Sequence, residues 1–320
     1  MRFFIVLCLF FFPIHTFAYS PEDFAQWKEG IKREAVNKGI SKQIIEDALN
    51  RAEYLPRVVE LDRKQPEGSI TFETYRGRIL SDKRIKTGRE LYAKHKSRLT
   101  EIEALYGVPP KYVIALWGIE TNYGGFTGGT NVINALATLA YDGRREKFFK
   151  AELFRALKIL DEGHISLSNM KGSWAGAMGQ NQFMPSSFEN FAVDGNADGR
   201  RDIWTSLDDV FASTSNYLAK NGWKTGQRWG REVKLSRAIN KDLLSKKLKK
   251  PLSFWRDQGV VLTNGRQLPL DPDIRATLYC PDGVTGDCFL GYHNYRVFLS
   301  WNRSTYFASS VGLLADAISR

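Results

Sequence analysis

The chain of 320 residues is 43% hydrophobic and 25% charged, and its 46 Lys and Arg outnumber 35 Asp and Glu for a formal net charge of +11. This is an ordinary globular composition, with enough apolar residues for one large domain or two to three lobes. The charge suits a polyanionic partner, but the basic residues are scattered and accompany no nucleic-acid motif, so nucleic acid is not the expected one.

Arg2, the apolar run Phe3 to Phe12 and then Thr16-Phe17-Ala18 read as a signal peptide over residues 1–18, cleaved after Ala18. The run is too short to span a bilayer, and no later segment reaches the ~18 apolar residues of a membrane helix. The mature protein is therefore expected to be exported to the periplasm, with a charge of +10 once Arg2 is lost. A basic protein in that compartment meets cell-wall carboxylates.

Residues 19–105 read as an N-terminal helical lobe, with helices over Pro21 to Lys38, Ser41 to Ala52 and Lys86 to Tyr106 separated by glycine and proline signals. Residues 106–225 hold the densest apolar helical patterns and are the expected main core. From 226 to 290 the texture changes to short β-branched runs such as Val260 to Thr263, broken by Asn264-Gly265 and prolines, which predicts a small β-rich subdomain. Residues 291–320 return to helical sequence that closes on the core. The fold class is mainly α, of the α+β kind.

Within the main core, Pro109-Pro110 suits a helix start, and Tyr112 to Trp117 continues as core sequence toward Glu120, where Thr121 to Gly125 break the helix. Val113, Leu116 and Trp117 lie seven, four and three residues before Glu120, so all four share one apolar helical face. Desolvation and the negative end of the helix dipole both disfavour a charge there. Such a glutamate moves from ~4.3 toward roughly 6 or 7 and can act as a general acid. A glutamate leaving into solvent at a frayed helix end fits the same pattern.

A second dense segment, Gly172-Ser173-Trp174-Ala175-Gly176-Ala177-Met178-Gly179-Gln180-Asn181-Gln182-Phe183-Met184-Pro185-Ser186-Ser187, has small residues that permit close approach of a ligand or a crossing helix. Ser173 is not read as a nucleophile, because no histidine lies in either segment and His164 sits at a polar helix end. Farther on, Asp194, Asn196, Asp198 and Asp202 fall at calcium-loop positions 1, 3, 5 and 9, with Gly199 at 6 and the Arg200 carbonyl at 7. Thr205 replaces the usual glutamate, so Asp208 would have to complete the shell of a structural calcium. An Asx-rich turn without metal is the alternative. Finally, Cys8 leaves with the leader and lacks the preceding small residue of a lipoprotein signal. The remaining Cys280 and Cys288 flank a hairpin tip and are expected to form a disulfide, with free thiols as the alternative.

Taken together, Trp117-Gly118-Ile119-Glu120-Thr121-Asn122-Tyr123-Gly124 and the Gly172 to Ser187 segment resemble the MltB-type lytic murein transglycosylases. Phe72-Glu73-Thr74-Tyr75-Arg76, Ala135 to Ala140 with Arg144-Arg145, and Trp301 to Tyr306 extend the resemblance over most of the mature chain. The resemblance implies a lysozyme-like catalytic core that cuts peptidoglycan glycan strands between N-acetylmuramic acid and N-acetylglucosamine without water. Glu120 would be the sole acid and then the base, and a 1,6-anhydro end would form. Ser173 would orient Glu120, and Gln182 would contact substrate. Tyr75, Tyr123, Tyr217, Trp301 and Asn302 would line the glycan groove, where aromatic faces stack on sugars. Core packing is the alternative for Tyr217 and Trp301, and Trp301 and Phe307 stand where some relatives are expected to carry tyrosine. Arg144 and Arg145 would meet peptide or lactyl carboxylates, or simply form a solvated face. Asp142 and Glu146, the nearest later carboxylates, read as surface charges. Some relatives resemble this chain in a calcium site at residues 194–208. No cofactor is implied for catalysis, and the implied partners are glycan strands together with cell-wall synthesis or remodelling proteins. A muramidase using water and a noncatalytic glycan-binding wall protein are the rival readings.

Overall fold

The computed structural model describes residues 20–64 and 70–320. The leader expected over residues 1–18, with Cys8, lies outside the described residues.

Most helices start where the sequence supplies a cap. Ser20, Ser41, Thr71 and Ser81 accept a backbone N–H at the starts of α1 (Pro21–Asn37), α2 (Lys42–Asn50), α4 (Phe72–Ile79) and α5 (Asp82–Lys94), which satisfies one of the four orphan donors of a helix N-terminus. Between them, α3 (Pro56–Arg63) opens on proline, whose missing N–H costs nothing there. The single helix expected over Lys86 to Tyr106 is two helices, because the chain turns at His95 before α6 (Lys96–Tyr106), which ends on the left-handed Gly107. Neither glycine nor proline marks the His95 break.

The central helix α7 (Pro110–Thr121) is buried along nearly its whole length. Strand β1 (Thr130–Asn131) leads into α8 (Val132–Asp142), followed by α9 (Glu146–Asp161), strand β2 (Lys171–Gly172), α10 (Pro185–Phe191) and α11 (Leu207–Lys220). β1 and β2 pair antiparallel, Thr130 opposite Gly172, so the chain just beyond α7 is tied to the start of the small-residue segment.

The β-rich region contains β3 (Gly230–Leu235), β4 (Lys250–Pro251), α12 (Leu252–Asp257), β5 (Val260–Leu262), β6 (Arg275–Tyr279) and β7 (Cys288–Gly291). Its strands form one antiparallel sheet in the order β4-β6-β7-β3-β5. Side chains alternate across the sheet as strand geometry requires. Leu278 and Leu290 join a small core with Trp255 and Tyr292, whereas Tyr279 and Phe289 join the large core. The chain closes with α13 (His293–Trp301) and α14 (Thr305–Ile318). α14 packs on α7, α5 and α4, and one large hydrophobic core runs from Phe24 to Ile318 through both the first helices and α7. Full burial of each large aliphatic side chain contributes about 1.5–3 kcal/mol, and Ile114, Leu116, Leu136, Leu153 and Leu314 are all fully buried here. The architecture is mainly helical, with one two-stranded and one five-stranded antiparallel sheet.

Cys280 and Cys288 form a disulfide. The loop it closes clamps α4: both Asp282 oxygens accept the Phe72 N–H (2.9 and 2.7 Å) and Asp282 Oδ1 also accepts the Tyr306 hydroxyl (2.6 Å). Arg76, one turn along α4, donates to Glu232 and Asp287 (2.7 and 2.8 Å). The sheet thereby fixes the helix that carries Tyr75.

Candidate active site

Glu120 is the penultimate residue of α7, and the chain leaves it through two successive left-handed residues, Asn122 (φ 51°) and Tyr123 (φ 61°). Gln182 (φ 52°) in the facing segment is left-handed as well. Such conformations are costly for residues other than glycine and persist where neighbours over-determine them. Here the neighbours are explicit. Gln180 accepts the Trp117 indole N–H through Oε1 (2.8 Å) and donates through Nε2 to the Trp204 carbonyl (2.9 Å). Thr121 Oγ1 donates to the Gln180 carbonyl and accepts the Gly124 N–H, both at 3.1 Å. A Cβ on Gly124 would lie 2.3 Å from Gln180 Oε1, so only glycine permits this closure. Gln182 Nε2 donates to the carbonyls of Thr127 (3.0 Å) and Gly179 (2.9 Å), binding the loop after Glu120 to the second segment.

Glu120 itself is partly exposed, yet protein surrounds it closely enough that burial pushes its carboxyl from the usual 4.5 up to about 7. A hydrogen bond from the Trp301 indole Nε1–H to Glu120 Oε1 (2.7 Å) acts in the opposite direction. Tyr75 stands within its field: burial, and then the Glu120 charge, raise the Tyr75 phenol.

Other expected site residues have different occupations. The Ser173 hydroxyl oxygen accepts the N–H groups of Ala177 (3.0 Å) and Ala175 (3.3 Å), shaping its own turn; the hydrogen bond on Glu120 comes from Trp301 instead. Tyr123 turns inward, its ring packed against Trp117 and its hydroxyl donating to the Arg84 carbonyl (2.9 Å). Tyr217 is only 8% exposed; it packs on Phe183, Phe191 and Trp301 and donates to the Ser300 carbonyl (2.8 Å), so it buttresses the site from the core. Asn302 is exposed, and its side-chain oxygen accepts the Ser304 N–H (3.0 Å) in the turn between α13 and α14. Arg144 and Arg145 both pair with Asp62, which is 3% exposed, while each arginine keeps a good part of its surface in solvent. Asp142 is no free surface charge: its largely buried carboxylate is paired with Arg63 (2.6 Å).

At residues 194–208, the expected calcium loop, the acidic side chains are engaged by the protein itself. Asp194 accepts the Asp198 and Gly199 N–H groups (3.1 and 2.7 Å), and Asp198 accepts that of Arg200 (2.9 Å). Asp208 is held by Arg98 (2.5 Å), whose guanidinium also donates to the Gly195 carbonyl. A guanidinium thus sits on the carboxylate meant to close the shell, and among the described residues no three acidic, His or Cys side chains gather as a metal site. Gln180, Thr121 and Phe126, not singled out by residue type, also shape the site. Phe126 is 76% exposed on the loop after Glu120, and its place between the paired glycines was the available signal. A separate cavity of about 940 Å³ opens between α4, β3 and the disulfide loop, lined by Glu73, Arg76, Glu232 and Asp287, and does not include Glu120.

A helix-borne acid raised by burial and held by an indole N–H, on a mainly helical scaffold with two small sheets, defines an enzyme of the lysozyme-like, glycan-cleaving class. The family model of the transglycosylase SLT domain matches residues 23–316, and the chain belongs to that family of lytic transglycosylases. It is 30% identical over 295 residues to the membrane-bound lytic murein transglycosylase B of Escherichia coli (strain K12), covering 88% of this chain and 80% of that protein. It is similar to SltB3 from Pseudomonas aeruginosa, solved in complex with NAG-NAM-pentapeptide, at 43% identity and a TM-score of 0.89, over 92% of this chain and 79% of that one. The lytic transglycosylase Slt35 of Escherichia coli, solved in complex with calcium, matches at 29% identity and a TM-score of 0.78, over 95% and 94% of the two chains.

Proposed function

We propose that this enzyme cleaves the β-1,4 bond between N-acetylmuramic acid and N-acetylglucosamine in peptidoglycan without water, with Glu120 as acid and then base. Glu120 protonates the glycosidic oxygen, and the bond from that oxygen to C1 of the muramic acid breaks. The N-acetyl carbonyl of the same sugar stabilises the cationic C1. The Glu120 carboxylate then takes the proton from the C6 hydroxyl, whose oxygen closes on C1 to give the 1,6-anhydro ring.

The observation that carries this reading is a carboxyl raised to about 7 by burial, with no neighbouring charge among the described residues contributing to its shift. Glycosidases with two carboxylates hold them ~5–9.5 Å apart, and a second carboxylate inside that range would add its own repulsion to Glu120. An acid near 7 is also matched to giving and then taking a proton near neutral pH. The complex of SltB3 with NAG-NAM-pentapeptide supports peptidoglycan as the substrate. The net positive charge and the leader read from the sequence support action on anionic glycan strands in the periplasm. Digestion of purified sacculi by wild type and Glu120→Gln tests the reading. Wild type should release soluble anhydro-muropeptides and Glu120→Gln should release none; equal release by both would sink it.

A further inference from the structure

An indole N–H can only donate. The hydrogen bond from Trp301 Nε1 to Glu120 Oε1 (2.7 Å) therefore makes Oε1 an acceptor, and because the carbonyl oxygen of a neutral carboxyl accepts better than its hydroxyl oxygen, the bond favours the proton on Oε2. Among the described residues none donates a hydrogen bond to Glu120 Oε2, and this oxygen is not among the fully buried polar atoms left without a partner, so it keeps some exposure. The donor is firmly seated. Its ring packs against Tyr217 and Phe183 with centroids 4.6 and 5.3 Å away, and the Tyr217 hydroxyl is tied to the carbonyl of Ser300, next to Trp301 in α13.

We infer that Trp301 is a positioning residue for the acid: its N–H holds Oε1 of Glu120 as acceptor and favours the transferable proton on Oε2. This rests on the acid role proposed for Glu120. The same contact acts again as the proton leaves. Hydrogen bonds to a charged acceptor are roughly twice as strong as those to a neutral one, so the Trp301 bond tightens as Glu120 becomes a carboxylate. The indole thus opposes the burial that keeps the acid protonated, and it stabilises the form produced by proton donation. The family resemblance gives Trp301 a place lining the glycan groove or packing in the core; its geometry gives it a role through Glu120.

The test separates the N–H from the ring. Trp301→Phe removes the donor and part of the packing, while benzothienylalanine at position 301, with sulfur in place of the indole N–H, keeps the shape and removes only the donor. Both should raise the titration midpoint of Glu120, followed by 13C NMR of labelled glutamate, by about one pH unit. Both should move the alkaline limb of the rate profile upward by the same amount and lower kcat about tenfold, with KM nearly unchanged. If the benzothienyl protein titrates and turns over like wild type while Trp301→Phe is merely less stable, Trp301 serves packing alone and the inference is overturned. The NMR titration needs no turnover. A wild type that releases no anhydro-muropeptides would therefore defeat the proposed function, while the titration would still decide the role of Trp301.

Discussion

Replacing Glu120 by glutamine should stabilise the protein, and the gain should grow with pH. Burial lifts the Glu120 carboxyl from 4.5 to about 7, so between those values the folded chain binds a proton that the unfolded chain releases. A raised acid of this kind leaves stability intact below pH 4.5 and withdraws it as pH rises to about 7. At 1.36 kcal/mol per pH unit of displacement, the full effect approaches ~3 kcal/mol. Glu120 is partly open to solvent, which reduces the expected gain to about 2 kcal/mol at pH 8. Glutamine keeps an oxygen for the Trp301 N–H and carries no charge at any pH. Urea unfolding of both proteins with the disulfide intact, repeated from pH 4 to 8, measures the difference. The curves should coincide near pH 4 and separate steadily above it. A pH-independent difference, or a Glu120→Gln protein less stable than wild type at pH 8, would refute the claim that burial sets the state of this carboxyl.

Other consequences follow from the supports of the site. Gly124→Ala places a methyl 2.3 Å from Gln180 Oε1 at a left-handed position; thermal melting and turnover should show a loss of roughly 1–3 kcal/mol together with at least a tenfold fall in activity. Asp62→Ala removes the carboxylate shared by Arg144 and Arg145. Because both arginines are half in solvent, chemical denaturation should show a cost of about 1–3 kcal/mol, below that of a fully buried pair. Replacing Cys280 and Cys288 by serine opens a loop closed over a separation of eight residues, which should cost about 2–3 kcal/mol. Limited proteolysis should then cut first near Asp282, where the loop clamps α4.

The parts of this molecule that depend on local pattern were legible in the sequence. The proline start of α7, its apolar face and its end at Asn122 follow from residues within a few turns of one another, and so does strand β5 in the Val260 to Thr263 run. The partners of the site residues were not legible, because they lie far away along the chain. Trp301 is 181 positions from Glu120, and Asp62 is 83 from Arg145. Residue type alone could not choose between sugar stacking and packing at Tyr123 and Tyr217, whose rings pack and whose hydroxyls donate to backbone carbonyls. At residues 194–208 the spacing of oxygen ligands matches a calcium loop, but spacing says nothing of Arg98, which reaches Asp208 from α6. The aromatic and guanidinium partners that decide these roles are tertiary facts.

The central claim is that Glu120 drives an intramolecular closure instead of admitting water. Digesting sacculi in 18O-labelled water and weighing the muropeptides tests it most directly. The account predicts products with muramic acid ends lighter by one water than the reducing form, and free of the heavy isotope. Reducing muramic acid carrying solvent 18O at C1 would contradict it and leave a hydrolase on the same fold.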